Sequence, residues 1–161
     1  MSDVTARVKE LERLCRVRGW KVGLAESCTG GLLSSWIAAE AGVSSFYQGS
    51  IVAYARDVKS QVLGISKSLL AAHGEVSLPV ALAMAKGARE ALSSQWGVSI
   101  TGVAGPSGGS REKPVGYVCF AAVGPGFEKA VHQQFEAGGG RQDIQRQAAL
   151  FAFDLLLNAM R

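Results

Sequence analysis

Two strand-like runs, residues 115–123 and 127–136, are joined only by Gly124-Pro125-Gly126, and this hairpin follows an N-terminal half in which strands and helices alternate. Glycines flanking a proline are turn chemistry, and strands joined that tightly run antiparallel. A purely parallel sheet is therefore excluded. The earlier alternation calls for helices packed onto the sheet. The expectation is an α/β fold, a single domain over residues 1–161 with a mixed β-sheet flanked by helices.

Local patterns place the other elements. Val4, Val8, Leu11 and Cys15 recur at helical spacing, predicting an amphipathic helix over 3–18. Residues 21–25 read as a buried strand. Leu32, Leu33, Trp36, Ile37 and Ala38 open a second helix that Gly42 is placed to end. A strand over 49–54 and a short helix over 57–63 follow. Ser77 suits an N-cap and Pro79 a first helical turn, so a long helix is expected over 80–94. Residues 97–103 read as a strand. The last helix follows Gly138-Gly139-Gly140 and shows one face through Ile144, Ala148, Phe151 and Leu155.

Composition removes several classes. Across 161 residues, 48% apolar and 19% charged side chains describe a globular chain. No apolar run reaches the roughly 18–20 residues of a membrane span. The polar, helical first residues do not resemble a secretory signal, so a cytoplasmic location is expected. The net charge of +4 comes from scattered cations, densest at Arg13, Arg16, Arg18 and Lys21. That spread sets aside a nucleic-acid module and fits an acidic or phosphorylated small substrate. Cys15, Cys28 and Cys119 are an odd set without paired spacing, against a disulfide framework or a zinc site. With only His73 and His132, a histidine metal centre or a histidine-dependent triad has little to draw on.

The strongest chemical signal is Glu26-Ser27-Cys28-Thr29-Gly30-Gly31, which leaves a buried strand and enters a helix. Ser27 falls where an N-cap belongs, and the next N–H groups lack helical partners, so the turn can hold an oxyanion or a phosphate. Ser27 is thus a helix cap or an exposed nucleophile. Cys28 is the rival nucleophile or a small buried residue. No pattern ties either histidine to Ser27, and a lysine whose pKa is lowered by burial is the known alternative base. Lys59, just past the second strand, is the candidate, against a reading as a solvated helix lysine. Tyr54 would end that strand and could orient a proton. Glu26 either orients a partner or pairs with a cation. The loop Gly102-Val103-Ala104-Gly105-Pro106-Ser107-Gly108-Gly109 matches neither a P-loop nor a dinucleotide fingerprint, and reads as a ligand loop or a structural turn. Arg141, at the head of the last helix, suits a phosphate or sits at the surface.

Together these residues resemble the CinA C-terminal domain, or nicotinamide-nucleotide amidase, family. The resemblance is carried by Ala25-Glu26-Ser27-Cys28-Thr29-Gly30-Gly31, by Tyr54 with Lys59, and by His73-Gly74-Glu75-Val76-Ser77. It continues through Ser99-Ile100-Thr101-Gly102-Val103-Ala104-Gly105-Pro106-Ser107-Gly108-Gly109 and Lys113-Pro114-Val115-Gly116. Two positions depart from the pattern. Leu78 and Gly140 stand where the family often has an acidic residue.

The resemblance implies a three-layer α/β/α fold in the stand-alone form, and hydrolysis of the carboxamide of nicotinamide mononucleotide. The products would be nicotinic acid mononucleotide and ammonia, in pyridine-nucleotide recycling. It implies Ser27 as nucleophile, Lys59 as base and Tyr54 as a supporting hydroxyl, with no cofactor and no metal. Substrate contacts are expected from Cys28, Thr29, Gly30, Gly31, Thr101, Gly102, Gly105, Ser107, Gly108, Gly109 and Arg141. The partner is a small nucleotide, not nucleic acid or membrane, and homo-oligomers are left open. The alternatives are a non-catalytic nucleotide-binding module of the same fold, or an amidase for another small amide.

Overall fold

The computed structural model describes residues 2–161. Helix α1 (Ser2–Arg18) precedes β1 (Val22–Glu26), α2 (Leu32–Ala38) and β2 (Tyr47–Val52). Three helices follow, α3 (Arg56–Gln61), α4 (Lys67–His73) and α5 (Leu78–Ala91), then β3 (Trp96–Gly102). The hairpin β4 (Tyr117–Gly124) and β5 (Phe127–Gln134) leads to α6 (Gly140–Met160). The strands form one sheet in the order β2-β1-β3-β4-β5. The first three run parallel, while β4 and β5 are antiparallel to their neighbours. The mixed sheet is the one the hairpin required.

Strand alternation divides the core into two layers of helix. On one face Leu24, Val98, Ile100, Val118 and Phe120 pack against Leu11, Leu33, Ile37, Ile144 and Phe153 of α1, α2 and α6. Arg7 of α1 grips Asp154 of α6 with two hydrogen bonds of 2.7 and 2.9 Å. The other face is built from small residues. Ala25, Cys119 and Ala121 lie against Ala81, Met84, Ala85 and Ala88 of α5, with α3 and α4 beside it. At Gly97 a Cβ would run into the Ala85 carbonyl oxygen, so α5 can lie this close only over a glycine.

Several local expectations shift. Ser77 does cap α5, accepting from the Val80 N–H, and Pro79 sits in its first turn. Ser27 is not the N-cap of α2. Its N–H donates to the Ile100 carbonyl at 2.9 Å, extending the β1–β3 ladder by one residue. The helix begins five residues later, behind Gly31 at φ 98°, a left-handed conformation favouring glycine. Gly42 does not close α2 but precedes a short 3₁₀ turn, Val43–Ser45. Strand β2 lies two residues earlier than its pattern suggested, and Tyr54 is beyond its end. Helix α4, capped by Ser66, was not legible, because its seven residues are too few to show a period. Among the described residues no helix is long and apolar enough to cross a membrane.

The parallel strands all end at one edge of the sheet. Ser27, the Ala53–Tyr54 corner and the loop after Gly102 therefore converge there. Ligands of open α/β sheets bind outside the carboxyl ends of the strands.

Candidate active site

At that edge a cavity of about 280 Å³ opens. Its walls include Ser27 and Cys28 after β1, Tyr54 and Lys59 after β2, and Glu75 and Val76 before α5. Thr101 and Gly102 at the end of β3, the loop through Gly109, and Arg141 of α6 complete it.

Lys59 is the decisive side chain. It lies in the last turn of α3 and is 1% exposed, which overturns the solvated-lysine alternative. Its Nζ is 3.1 Å from Ser27 Oγ, 2.8 Å from the Ala53 carbonyl oxygen and 3.2 Å from that of Tyr54. Burial lowers the amine below its ordinary range, while the Glu75 carboxylate opposes that shift. A neutral amine has two N–H groups and one lone pair. The two carbonyls can accept only the N–H groups, which leaves the lone pair for the Ser27 hydroxyl. The chain reversal after Val52 creates this holder. The Ala53 N–H still donates to the Glu26 carbonyl at 2.8 Å, and the next two carbonyls turn toward Lys59.

The turn after β1 is braced by the fully buried Glu26. Its carboxylate accepts from Thr29 Oγ1 (2.7 Å), the Leu33 N–H (3.2 Å), the Ser34 N–H (2.9 Å) and Ser50 Oγ (3.3 Å). Among the described residues Glu26 pairs with no cation. It satisfies the free donors of the first turn of α2, where the helix dipole favours an anion. The Gly30 N–H donates to the Ser27 carbonyl at 3.0 Å and is therefore not free for an oxyanion. The N–H groups of Cys28 and Thr29 make no hydrogen bond within the described residues. Thr29, Gly30 and Gly31 are not part of the cavity lining; they turn the chain from β1 into α2.

Cys28 lines the cavity, but burial pushes its thiol up to about 12. The helix N-terminus expected to stabilise a thiolate begins only at Leu32. Cys28 thus stays a neutral thiol at neutral pH, a poor rival to Ser27.

Tyr54 is 58% exposed at the mouth. Its hydroxyl accepts from Arg141 Nη2 at 2.8 Å, and only its carbonyl meets Lys59. Arg141 Nη1 donates to the Gly105 carbonyl at 2.7 Å, so the guanidinium bridges the loop and Tyr54. A guanidinium has five N–H donors, and two are used in this bridge. Gly105 adopts φ 73°, and a Cβ there would strike Val115. Thr101 donates to the Glu75 carbonyl at 2.9 Å. Ser107, Gly108 and Gly109 form the exposed outer rim.

Two contributors were not picked out from sequence. Glu75 was visible only as part of a longer block, with no pattern giving its carboxylate a role. Gln145 donates to the Cys28 carbonyl at 2.8 Å and props the nucleophile turn. Its one signal was its place four residues after Arg141, on the same helical face. His73 and His132 do not reach the cavity; His132 stacks on Tyr117 with centroids 5.0 Å apart. Among the described residues no three His, Cys, Asp or Glu side chains gather as a metal site.

Comparison with known proteins bears on the family and the fold. The family model for the CinA C-terminal domain matches residues 4–160. A CinA-like protein of Anaeromyxobacter dehalogenans is 50% identical over 144 residues, covering 89% of this chain and 35% of the relative. A CinA-like protein of Gloeobacter violaceus is 46% identical over 86% of this chain and 32% of the relative. The chain thus spans about a third of the length of these curated relatives. Among solved structures, a competence or damage-inducible protein from Enterobacter asburiae superposes with a TM-score of 0.92 at 31% identity, covering 98% of both chains. A competence/damage-inducible protein from Agrobacterium tumefaciens gives 0.91 at 32% identity, covering 99% of this chain and 96% of that one. In sequence and in fold, the chain belongs to the CinA C-terminal domain family.

Proposed function

We propose that this chain is an amidohydrolase that converts nicotinamide mononucleotide to nicotinic acid mononucleotide and ammonia. The observation that carries the reading is the buried Lys59 amine, 3.1 Å from Ser27 Oγ, with two carbonyls as its other partners. A serine hydroxyl is a weak nucleophile unless a positioned base takes its proton. A desolvated lysine can be that base, because burial lowers its proton affinity and favours the neutral amine.

In this scheme the Ser27 proton passes to Lys59 Nζ as Oγ bonds to the carboxamide carbon. The carbonyl becomes an oxyanion, which the Cys28 N–H, at the cavity wall beside Ser27, is free to receive. Donors of this kind contribute roughly 3–4 kcal/mol each in comparable sites. Lys59 then gives its proton to the amide nitrogen, the C–N bond breaks and ammonia leaves. Water attacks the resulting ester with Lys59 again taking a proton. The second collapse breaks the ester bond and returns the proton to Ser27 Oγ. Every proton moves between groups already in place, with no cofactor.

The 5′-phosphate of the nucleotide is assigned to Arg141, whose remaining N–H groups suit an oxyanion, with the Gly105 to Gly109 loop beside it. Tyr54 acts on this reading by holding Arg141 through its hydroxyl and Lys59 through its carbonyl. The partner is this small nucleotide in the cytoplasm, rather than a nucleic acid or a membrane.

The test is ammonia release from nicotinamide mononucleotide by purified protein beside a Ser27→Ala control. Release that disappears in the control supports the scheme. Release that survives it removes Ser27 as nucleophile. Tight nucleotide binding with no ammonia would replace the amidase by a binding module.

A further inference from the structure

We infer that Glu75 is a specificity-determining residue that makes the cavity prefer a neutral carboxamide to the carboxylate formed by its hydrolysis. The inference rests on the amidase reading and deepens it.

Glu75 lines the same cavity as Ser27 and Lys59. Its backbone is held from two sides. Thr101 Oγ1 donates to the Glu75 carbonyl at 2.9 Å, and Ser77 Oγ donates to the neighbouring Gly74 carbonyl at 3.1 Å. The half-buried side chain makes no hydrogen bond or ion pair among the described residues. Glu26 differs in this respect, since four donors inside the protein satisfy it. A carboxylate on a held backbone, lining the cavity with open acceptor positions, is suited to a ligand that donates.

The two nucleotides differ in that property. A carboxamide presents two N–H donors, whereas the acid product presents only acceptors and a full negative charge. Replacing NH₂ by O⁻ therefore removes a hydrogen bond to Glu75 and puts like charges in a partly desolvated space. Burial lowers the proton affinity of Lys59, which reduces the positive charge it can set against that repulsion. Arg141 lies at the mouth on Tyr54 and Gly105, placed for the phosphate that both nucleotides share. Its attraction does not distinguish amide from acid. The chemistry at the Ser27 end thus converts a favoured ligand into a disfavoured one, which promotes product departure.

Like charges several ångströms apart at a protein surface repel strongly enough for a discrimination of about tenfold or more. The experiment measures binding of both nucleotides by calorimetry in the Ser27→Ala protein, where turnover is blocked. The expected result is at least about tenfold tighter binding of nicotinamide mononucleotide than of nicotinic acid mononucleotide. Adding Glu75→Gln should bring the ratio to within about threefold, chiefly by tightening the acid. Glu75→Asp, which keeps the charge, should retain the preference for the amide. An unchanged ratio in Glu75→Gln, or equal weakening of both ligands, overturns the role of Glu75 and leaves the amidase reading intact. Binding of neither nucleotide by folded Ser27→Ala protein overturns both.

Discussion

Lys59→Met keeps most of the side-chain volume of a buried residue and deletes the amine, separating chemistry from packing. The residue is 1% exposed and its amine touches Ser27 Oγ and two carbonyl oxygens. As the base of the proposed reaction it should be worth about 10²–10⁴ in rate. At about 1.36 kcal/mol per decade that is about 2.7–5.4 kcal/mol of barrier. The cost to folding is smaller. Ala53 and Tyr54 each lose a donor, at about 1 kcal/mol per bond, and release from amine desolvation offsets part of it. For a domain of this size about 2 kcal/mol moves Tm by about 4–8 °C. The assay is ammonia release from nicotinamide mononucleotide across pH, with a thermal melt of each protein. In the unsubstituted protein the rate should rise with pH as Lys59 loses its proton, at a pH below 10.5 because burial depresses the amine. Above that titration the lysine contributes no further increase. The Met variant should lose both this limb and at least about a hundredfold in kcat. A folded variant within about threefold of the original kcat would refute Lys59 as the base.

Arg141→Ala should raise KM for nicotinamide mononucleotide by about tenfold or more while leaving the unphosphorylated nucleoside unaffected, since a charge-assisted phosphate contact is lost. Equal effects on both substrates would remove the phosphate assignment. Glu26→Ala strands four donors around a fully buried position. At about 1 kcal/mol or more for each unsatisfied group, urea unfolding should show a loss of at least about 3 kcal/mol. A loss below about 1 kcal/mol would show that the turn is held by other contacts. Gly97→Ala should destabilise by about 1–3 kcal/mol or more, because its Cβ meets the Ala85 carbonyl of α5. Gly138→Ala, with no atom within 4 Å of the added carbon, should stay within about 0.5 kcal/mol; equal melts for the two would contradict the packing of α5 on β3.

The sequence by itself determined the sheet class and the location of the nucleophile turn. Gly124-Pro125-Gly126 demands a reversal, and the run from Val22 into Glu26-Ser27-Cys28 demands a strand that ends in a polar turn. Ser77 and Pro79 start a helix wherever they stand, since caps and turns act over a few bonds. Short-range signals could not reveal α4, nor could they separate Ser27 as a cap from Ser27 as the next rung of the β1–β3 ladder. Only the partner strand decided that, through the Ile100 carbonyl. The burial of Lys59 was likewise invisible, because a lysine in a short helix carries no record of what covers it. Its position 32 residues from Ser27 in sequence, and that of Arg141 87 residues from Tyr54, become contacts only when the strand ends converge. The chemistry depends on that convergence, because desolvation by distant elements lowers the amine's proton affinity and turns a surface-type residue into a candidate base.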